Sequence, residues 1–257
     1  MRPLSGVHPF TDREPPAHAK PDGVAYDCPN CRDSGWLVQD DGGNGTAYQC
    51  PCANPAENPK LLRGRMRLCG METGEIDAAF EPWDSEFSPK PSWAHRWLVW
   101  AMAGCDPEER PEGLEGGQIN PRLLTLLGEP GRGKTKTAGV LLRLYIGYGG
   151  TGGMWARVPE AFDRVQQERF DRTSEYEQRL KDAKLLVLDE LGKEHRANRD
   201  LIASTVYEWI CYRERRRTIT LFTGNILKLG ELGDAALESR LASGIYQLMT
   251  GEDYRDR

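Results

Sequence analysis

With 257 residues, 39% of them hydrophobic and 28% charged, the chain is long enough for one sizeable α/β core and a small extra module. No apolar run approaches the length of a membrane span and the start of the chain has no signal-peptide core, so a membrane-bound or exported protein is not expected and the cytoplasm is. A formal net charge of −5 excludes a globally basic duplex binder and leaves any nucleic-acid contact to local patches or to an assembled ring.

Residues 1–22, with Arg13-Glu14-Pro15-Pro16, are proline-rich and polar and read as disordered. Residues 23–58 hold four of the seven cysteines, as Cys28-Pro29-Asn30-Cys31 and Cys50-Pro51-Cys52. In a cytosolic chain this clustering reads as metal before disulfide. Four thiolates on two knuckles close a tetrahedral Zn²⁺ site and staple a segment too small to fold alone. Asn54-Pro55 and Asn58-Pro59 mark a linker, after which residues 59–257 form one nucleotide-binding domain. Cys69, Cys105 and Cys211 are isolated and read as small buried hydrophobes.

Trp93, Trp97 and Trp100 fall at helical spacing and predict a helix packed on a sheet, and Asp106 to Pro121 predicts a surface loop. The apolar run Leu123–Leu127 predicts a strand. It enters Gly128-Glu129-Pro130-Gly131-Arg132-Gly133-Lys134-Thr135, followed by leucines and alanines at helical spacing to Tyr145. A glycine-rich loop between strand and helix lets backbone N–H groups close around phosphates, with Lys134 as a point charge and the Thr135 hydroxyl for Mg²⁺. The expected nucleotide-contacting set runs from Gly128 through Lys136. Phe170 and Tyr176 read as core aromatics before they read as base-stacking ones.

Leu185-Leu186-Val187-Leu188 predicts a buried strand ending in Asp189-Glu190. One carboxylate there holds Mg²⁺ and the other polarises an attacking water, which points to hydrolysis. The basic run Arg213-Glu214-Arg215-Arg216-Arg217 reads first as a solvated helix C-terminus and second as a phosphate-tracking cluster. Thr218–Phe222 predicts another strand, ending in Thr223-Gly224-Asn225, where a polar side chain can reach the attacking water. Ser239-Arg240-Leu241 and Gly251-Glu252-Asp253-Tyr254-Arg255 supply arginines of the kind that stabilise charge in phosphoryl transfer.

The order of the phosphate loop, Val158-Pro159-Glu160-Ala161-Phe162, Leu185 to Gly192, Thr220 to Asn225, Ser239-Arg240-Leu241 and Asp253-Tyr254-Arg255 resembles the AAA+ helicase-loader family of the DnaC/DnaI type, phage-encoded members included. The resemblance covers residues 61–257, with Gly74 to Phe80 similar to the segment that precedes the family's core. The cysteine knuckles are similar to the zinc module of the DnaI-like branch. It implies an α/β P-loop fold with a parallel central sheet flanked by helices, and ATP with Mg²⁺ as ligands. Lys134 and Thr135 would be the Walker A lysine and Mg²⁺-binding hydroxyl, and Asp189 and Glu190 the Walker B pair. Asn225 would be sensor 1, Arg240 the arginine finger acting on a neighbouring subunit's ATP, and Arg255 a second sensor. Implied partners are the replicative hexameric helicase, single-stranded DNA and further copies of the chain meeting at the ATP site.

Two departures stand out. Gly224 precedes Asn225 where a hydroxyl residue is common, and Ser239 precedes Arg240 where aspartate is frequent. A transposition helper ATPase of the IstB type shares nearly all these motifs. A nucleotide-regulated adaptor that does not hydrolyse is the alternative from another class.

Overall fold

The structure, a computed structural model, describes residues 36–40, 45–50, 58–82, 92–192, 198–251 and 253, the side chains of 36–40 and 45–49 excepted. Cys28, Cys31, Cys52, Arg255 and the proline-rich residues 1–22 lie outside the described residues. Chain contacts divide the protein into Met1–Asn54 and Pro55–Arg257. In the first unit, β1 (Trp36–Asp40) pairs antiparallel with β2 (Gly45–Gln49), Trp36 opposite Gln49 and Asp40 opposite Gly45. Cys50, directly after β2, is buried.

The second unit is built on a five-stranded sheet of β3 (Leu123–Leu127), β4 (Gly153–Arg157), β5 (Leu185–Leu191), β6 (Ile219–Gly224) and β7 (Ile245–Leu248). Its spatial order is β4-β5-β6-β3-β7 and every pairing is parallel. The apolar runs of β3, β5 and β6 are the expected signature of strands covered on both faces. Leu124 and Leu126 face one core with Leu185, Val187 and Leu221, while Leu123 and Leu127 face the other with Leu186, Leu188 and Phe222. Side chains alternate across a strand, so one run of leucines feeds both layers.

The first layer holds α1 (Pro59–Leu68), α2 (Thr73–Phe80), α3 (Ser92–Ala103) and α4 (Lys134–Gly147). The tryptophan stripe packs as expected. Trp97 and Trp100 are buried, Trp93 partly so, and the indoles of the first two donate to Pro121 O (2.9 Å) and Asp106 O (2.6 Å). Both acceptors flank the 106–121 loop, which those bonds tie to α3. The loop also bridges Gly116 to Ile245 of β7. Cys69 and Cys105 pack partly buried against this layer, and burial pushes the Cys69 thiol up to about 11, where it is inert.

The second layer holds α5 (Val158–Phe170), α6 (Glu175–Asp182), α7 (Arg199–Arg215) and α8 (Ala235–Ala242). Phe170 departs from the core placement expected of it. It is 84% exposed, as the last residue of α5. Tyr176 is half-buried beneath the Arg164 guanidinium, 4.1 Å from its ring centre. No helix among the described residues is long and apolar enough to cross a membrane.

Two buried charges tie the second layer together. Arg213 is 1% exposed and donates to Thr220 Oγ1 (2.9 Å), Leu180 O (2.9 Å), Ala183 O (2.7 Å) and Ile219 O (2.6 Å), fastening α7 across the amino ends of β5 and β6. Glu177, also buried, accepts from Arg169 (3.0 Å) and the Trp209 indole (3.2 Å) and pairs with Lys181 (2.8 Å). Desolvation raises the Glu177 pKa, but the bonds from Arg169, Lys181 and Trp209 outweigh it and hold the carboxyl at about 2.

A carboxyl depressed from 4.5 to about 2 contributes stability that is complete above 4.5 and is lost as pH falls toward 2. In urea, Glu177→Gln should therefore unfold at a lower concentration than wild type at neutral pH, with the gap narrowing below pH 4.5. A gap that stays constant with pH would assign the effect to packing.

Candidate functional site

The site forms at the carboxyl ends of β3, β5 and β6, where parallel strands bring their terminal residues to one edge. The phosphate loop leaves β3 at Gly128, and Gly128, Gly131 and Gly133 take φ of 142°, 77° and 77°. Such angles strain any residue with a Cβ, which is why glycine stands at each turn of the loop. Gly128 N–H donates to Ile226 O (2.9 Å), binding the loop's first residue to the segment after β6. Lys134 opens α4 and is buried, its Nζ donating to Gly128 O (2.7 Å) and Glu129 O (2.6 Å). An ammonium folded onto its own loop sits at a helix N-terminus, where it adds to the positive field. Arg132 and Glu129 form an ion pair across the loop. Lys136 points elsewhere, to Pro82 O (3.0 Å) and the Glu81 carboxylate (3.7 Å) beyond α2.

The acidic pair owes its position to a β-bulge. Leu188 is opposite Phe222 and Leu191 opposite Gly224, so Asp189 and Glu190 together face Thr223. Glu190 takes φ of 68°, a left-handed conformation that non-glycine residues seldom adopt. Thr223 bridges both residues: its hydroxyl donates to Asp189 Oδ1 and accepts from Glu190 N–H (3.1 Å). Across the gap to α4, Thr135 Oγ1 donates to Asp189 Oδ1 and Oδ2 (3.1 and 3.3 Å). Asp189 is 2% exposed, and desolvation raises its pKa against the lowering effect of Thr223 and Thr135. Glu190 is half-buried at the bulge.

The chemistry fits a nucleoside triphosphate with a divalent cation. The loop is an anion cradle at a helix N-terminus, and Thr135 with Asp189 is a pair of hard oxygen donors of the kind Mg²⁺ takes.

The other sequence-predicted residues divide. Asn225 is half-buried one residue beyond β6, beside the segment that holds Gly128. The bonded strand-tip group is Thr223, two residues earlier. Arg240, on α8, pairs with Glu214 (2.7 Å) and lies over the Tyr207 ring, so its partners in this chain are on α7.

Two site residues escaped the sequence reading. Arg157 closes β4 in register with Asp189 and pairs with Glu72 (2.9 Å), Glu75 (2.8 Å) and Glu160 (3.2 Å). It ties the N-terminus of α2 to the strand beside the acidic pair. The second is Asp253. A Cβ at Gly131 would lie 1.7 Å from its Oδ1, so its carboxylate fills the space against the middle of the phosphate loop.

Thr223→Val keeps the β-branched shape but leaves the buried Asp189 short of a donor. It should cost about 1–3 kcal/mol in urea unfolding, with Thr223→Ser near wild type; equal stability of all three would remove the hydroxyl bridge from the fold's support. Asp253 sets a negative charge against the loop that would receive polyphosphate. Asp253→Asn should tighten binding of a fluorescent nucleoside triphosphate by about fivefold. Weaker binding would mean that the carboxylate organises the loop.

No family model and no curated protein matches the chain. Among solved structures, the DnaC helicase loader aligns over 70% of this chain and 100% of its own at 18% identity, with a TM-score of 0.51. DnaI aligns over 71% of this chain and 93% of its own at 18% identity (TM-score 0.49). AMPPCP-bound DnaA from Aquifex aeolicus aligns over 49% of this chain at 18% identity (TM-score 0.43), and the match spans 39% of that DnaA. The larger unit of this chain, with its five-stranded parallel sheet between two helical layers, is thus similar in fold to the DnaC helicase loader.

Proposed function

We propose that the protein is an ATPase that places a replicative helicase on single-stranded DNA, with ATP binding and hydrolysis controlling assembly. The observation that carries the catalytic part is the Thr135–Asp189 contact (3.1 Å) with Glu190 beside it in the bulge. It sets cation-binding oxygens and a second, half-buried carboxylate beside a phosphate cradle. Mg²⁺ held by Thr135 and Asp189 would neutralise charge on the transferred phosphoryl group. Lys134 binds the phosphates, Glu190 takes the proton of the attacking water, and Asn225 orients that water from the strand tip.

The loader reading is supported by the order of motifs and by the likeness to the DnaC helicase loader. The Arg240–Glu214 pair on α8 and α7 leaves a guanidinium bound within its own chain. In an assembled ring, exchange of that partner for a neighbour's ATP phosphate would put Arg240 in the finger role. Arg255 would serve as second sensor. Residues 23–58 are proposed as a zinc module on Cys28, Cys31, Cys50 and Cys52, supported by their spacing around the β1–β2 pair. That module would dock the helicase in the cytoplasm while residues 59–257 handle ATP and DNA.

Glu190→Gln should bind ATP like wild type and turn it over about 10²-fold more slowly or worse. In ATP, the zinc-loaded full-length variant should co-purify with the host's replicative helicase. Co-purification with a transposase instead would transfer the reading to the IstB-type helper, and a wild-type chain that binds ATP without turnover would make it an adaptor.

A further inference from the structure

At the opposite edge of the sheet from the phosphate loop, the amino ends of the strands surround a cleft of about 460 Å³. That volume lies within the roughly 300–1,000 Å³ of ordinary ligand sites. Four cations from three separate stretches of sequence line it. Arg122 precedes β3, Lys184 precedes β5, and Arg216 and Arg217 follow α7. None of its lining residues is acidic. Asp182 is the carboxylate that faces this group, 3.6 Å from Arg216. In a chain of net charge −5 this is a concentrated patch of the opposite sign.

Macrodipole complementation at the end of α7 accounts for Arg216 and Arg217 but not for Arg122 and Lys184, which belong to strand starts. Arg217 carries a second signal. It sits just past the C-cap with φ of 52°, the left-handed position that glycine normally takes, and its N–H closes the helix on Glu214 O (2.9 Å). An arginine there strains the backbone, and its side chain is what glycine would lack. Arg122 donates to Arg217 O (2.5 Å) and holds this turn over the cleft without neutralising either charge.

One wall of the cleft is aromatic. Tyr148 is 51% exposed, its ring stacked on His95 (centroids 6.0 Å apart, 22° between planes) and its hydroxyl 2.6 Å from His95 Nε2. An oriented, half-exposed ring beside clustered guanidinium and ammonium groups is the composition of a single-strand site, with cations on phosphates and a ring under a base. The surface is concave, whereas reading a duplex groove takes a protruding helix or ribbon.

We infer that this amino-terminal edge binds single-stranded nucleic acid, with phosphates on Lys184, Arg216 and Arg217 and a base on Tyr148. The inference rests on the proposed function for the identity of that strand and adds its location, away from the ATP site.

The test is fluorescence anisotropy of a labelled oligothymidylate with the full-length protein between 50 and 200 mM salt. Lys184→Gln/Arg217→Gly removes two cations and relieves the left-handed strain. It should bind about tenfold more weakly, with a log–log salt slope shallower by about 1.4. Tyr148→Leu should also weaken binding by about tenfold while leaving the salt slope unchanged. ATP turnover should stay at the wild-type level in both, since neither touches the catalytic edge. Binding by the double variant within twofold of wild type, no binding by wild type, or tighter binding of a duplex of the same length would each overturn the site. Helicase co-purification by the same variants is scored separately, because its loss from wild type would refute the loader reading and leave the DNA result standing.

Discussion

Two residues of β5 face one residue of β6, and the carboxyl end of the sheet is arranged around that mismatch. A regular ladder through Asp189 and Glu190 would send one carboxylate into each core. The bulge removes Glu190 from the alternation, returns Leu191 to the second core and lets Thr223 bond both acidic residues. Asp189 is then buried between the hydroxyls of Thr223 and Thr135, which couples β5 to β6 and to the start of α4 through one carboxylate. A buried charge with two donors resists displacement, whereas half-exposed Glu190 stays accessible to a reactant.

The two edges of the parallel sheet differ in chemistry for a simple reason. All strands run the same way, so every loop at the carboxyl edge follows a strand and every loop at the amino edge precedes one. The phosphate loop, the acidic pair and Asn225 share the first edge. Arg122, Lys184 and Thr218 share the second. A nucleotide site and a polyanion site at these two edges would be linked by strands of five to seven residues, a separation of about 20 Å. Arg213, buried at the amino edge with its guanidinium on four backbone carbonyls and Thr220, ties that end together.

Arg157 extends the support in another direction. It lies between the strand opposite Asp189 and three glutamates, two of them at the start of α2. Burial raises the Glu75 pKa against the lowering effect of Arg157, so this pair is partly desolvated. The α1–α2 stretch, which also accepts the Trp155 N–H through Cys69 O (2.6 Å), therefore covers the open side of β4 and reaches the electrostatics of the acidic pair.

From sequence alone came the phosphate loop between its strand and helix, the buried strand ending in Asp189-Glu190, the strand at 219–224 and the packed tryptophan stripe, because each rests on local periodicity or on glycines that the backbone demands. The two outer strands were not legible. Gly153–Arg157 and Ile245–Leu248 lack a continuous apolar run, since an edge strand is covered by neighbours on fewer sides. Nor was Thr223 legible as the bonded group at the strand tip. Motif order points to Asn225, and only the bulge, a property of how two strands align, turns Thr223 toward the acids. Phe170 is an aromatic in a helix pattern, yet at the last residue of α5 it stands in solvent. The meeting of Arg122, Lys184, Arg216 and Arg217 in one cleft was likewise decided by tertiary structure, because charges up to 95 residues apart are neighbours only once parallel strands have brought their starts together.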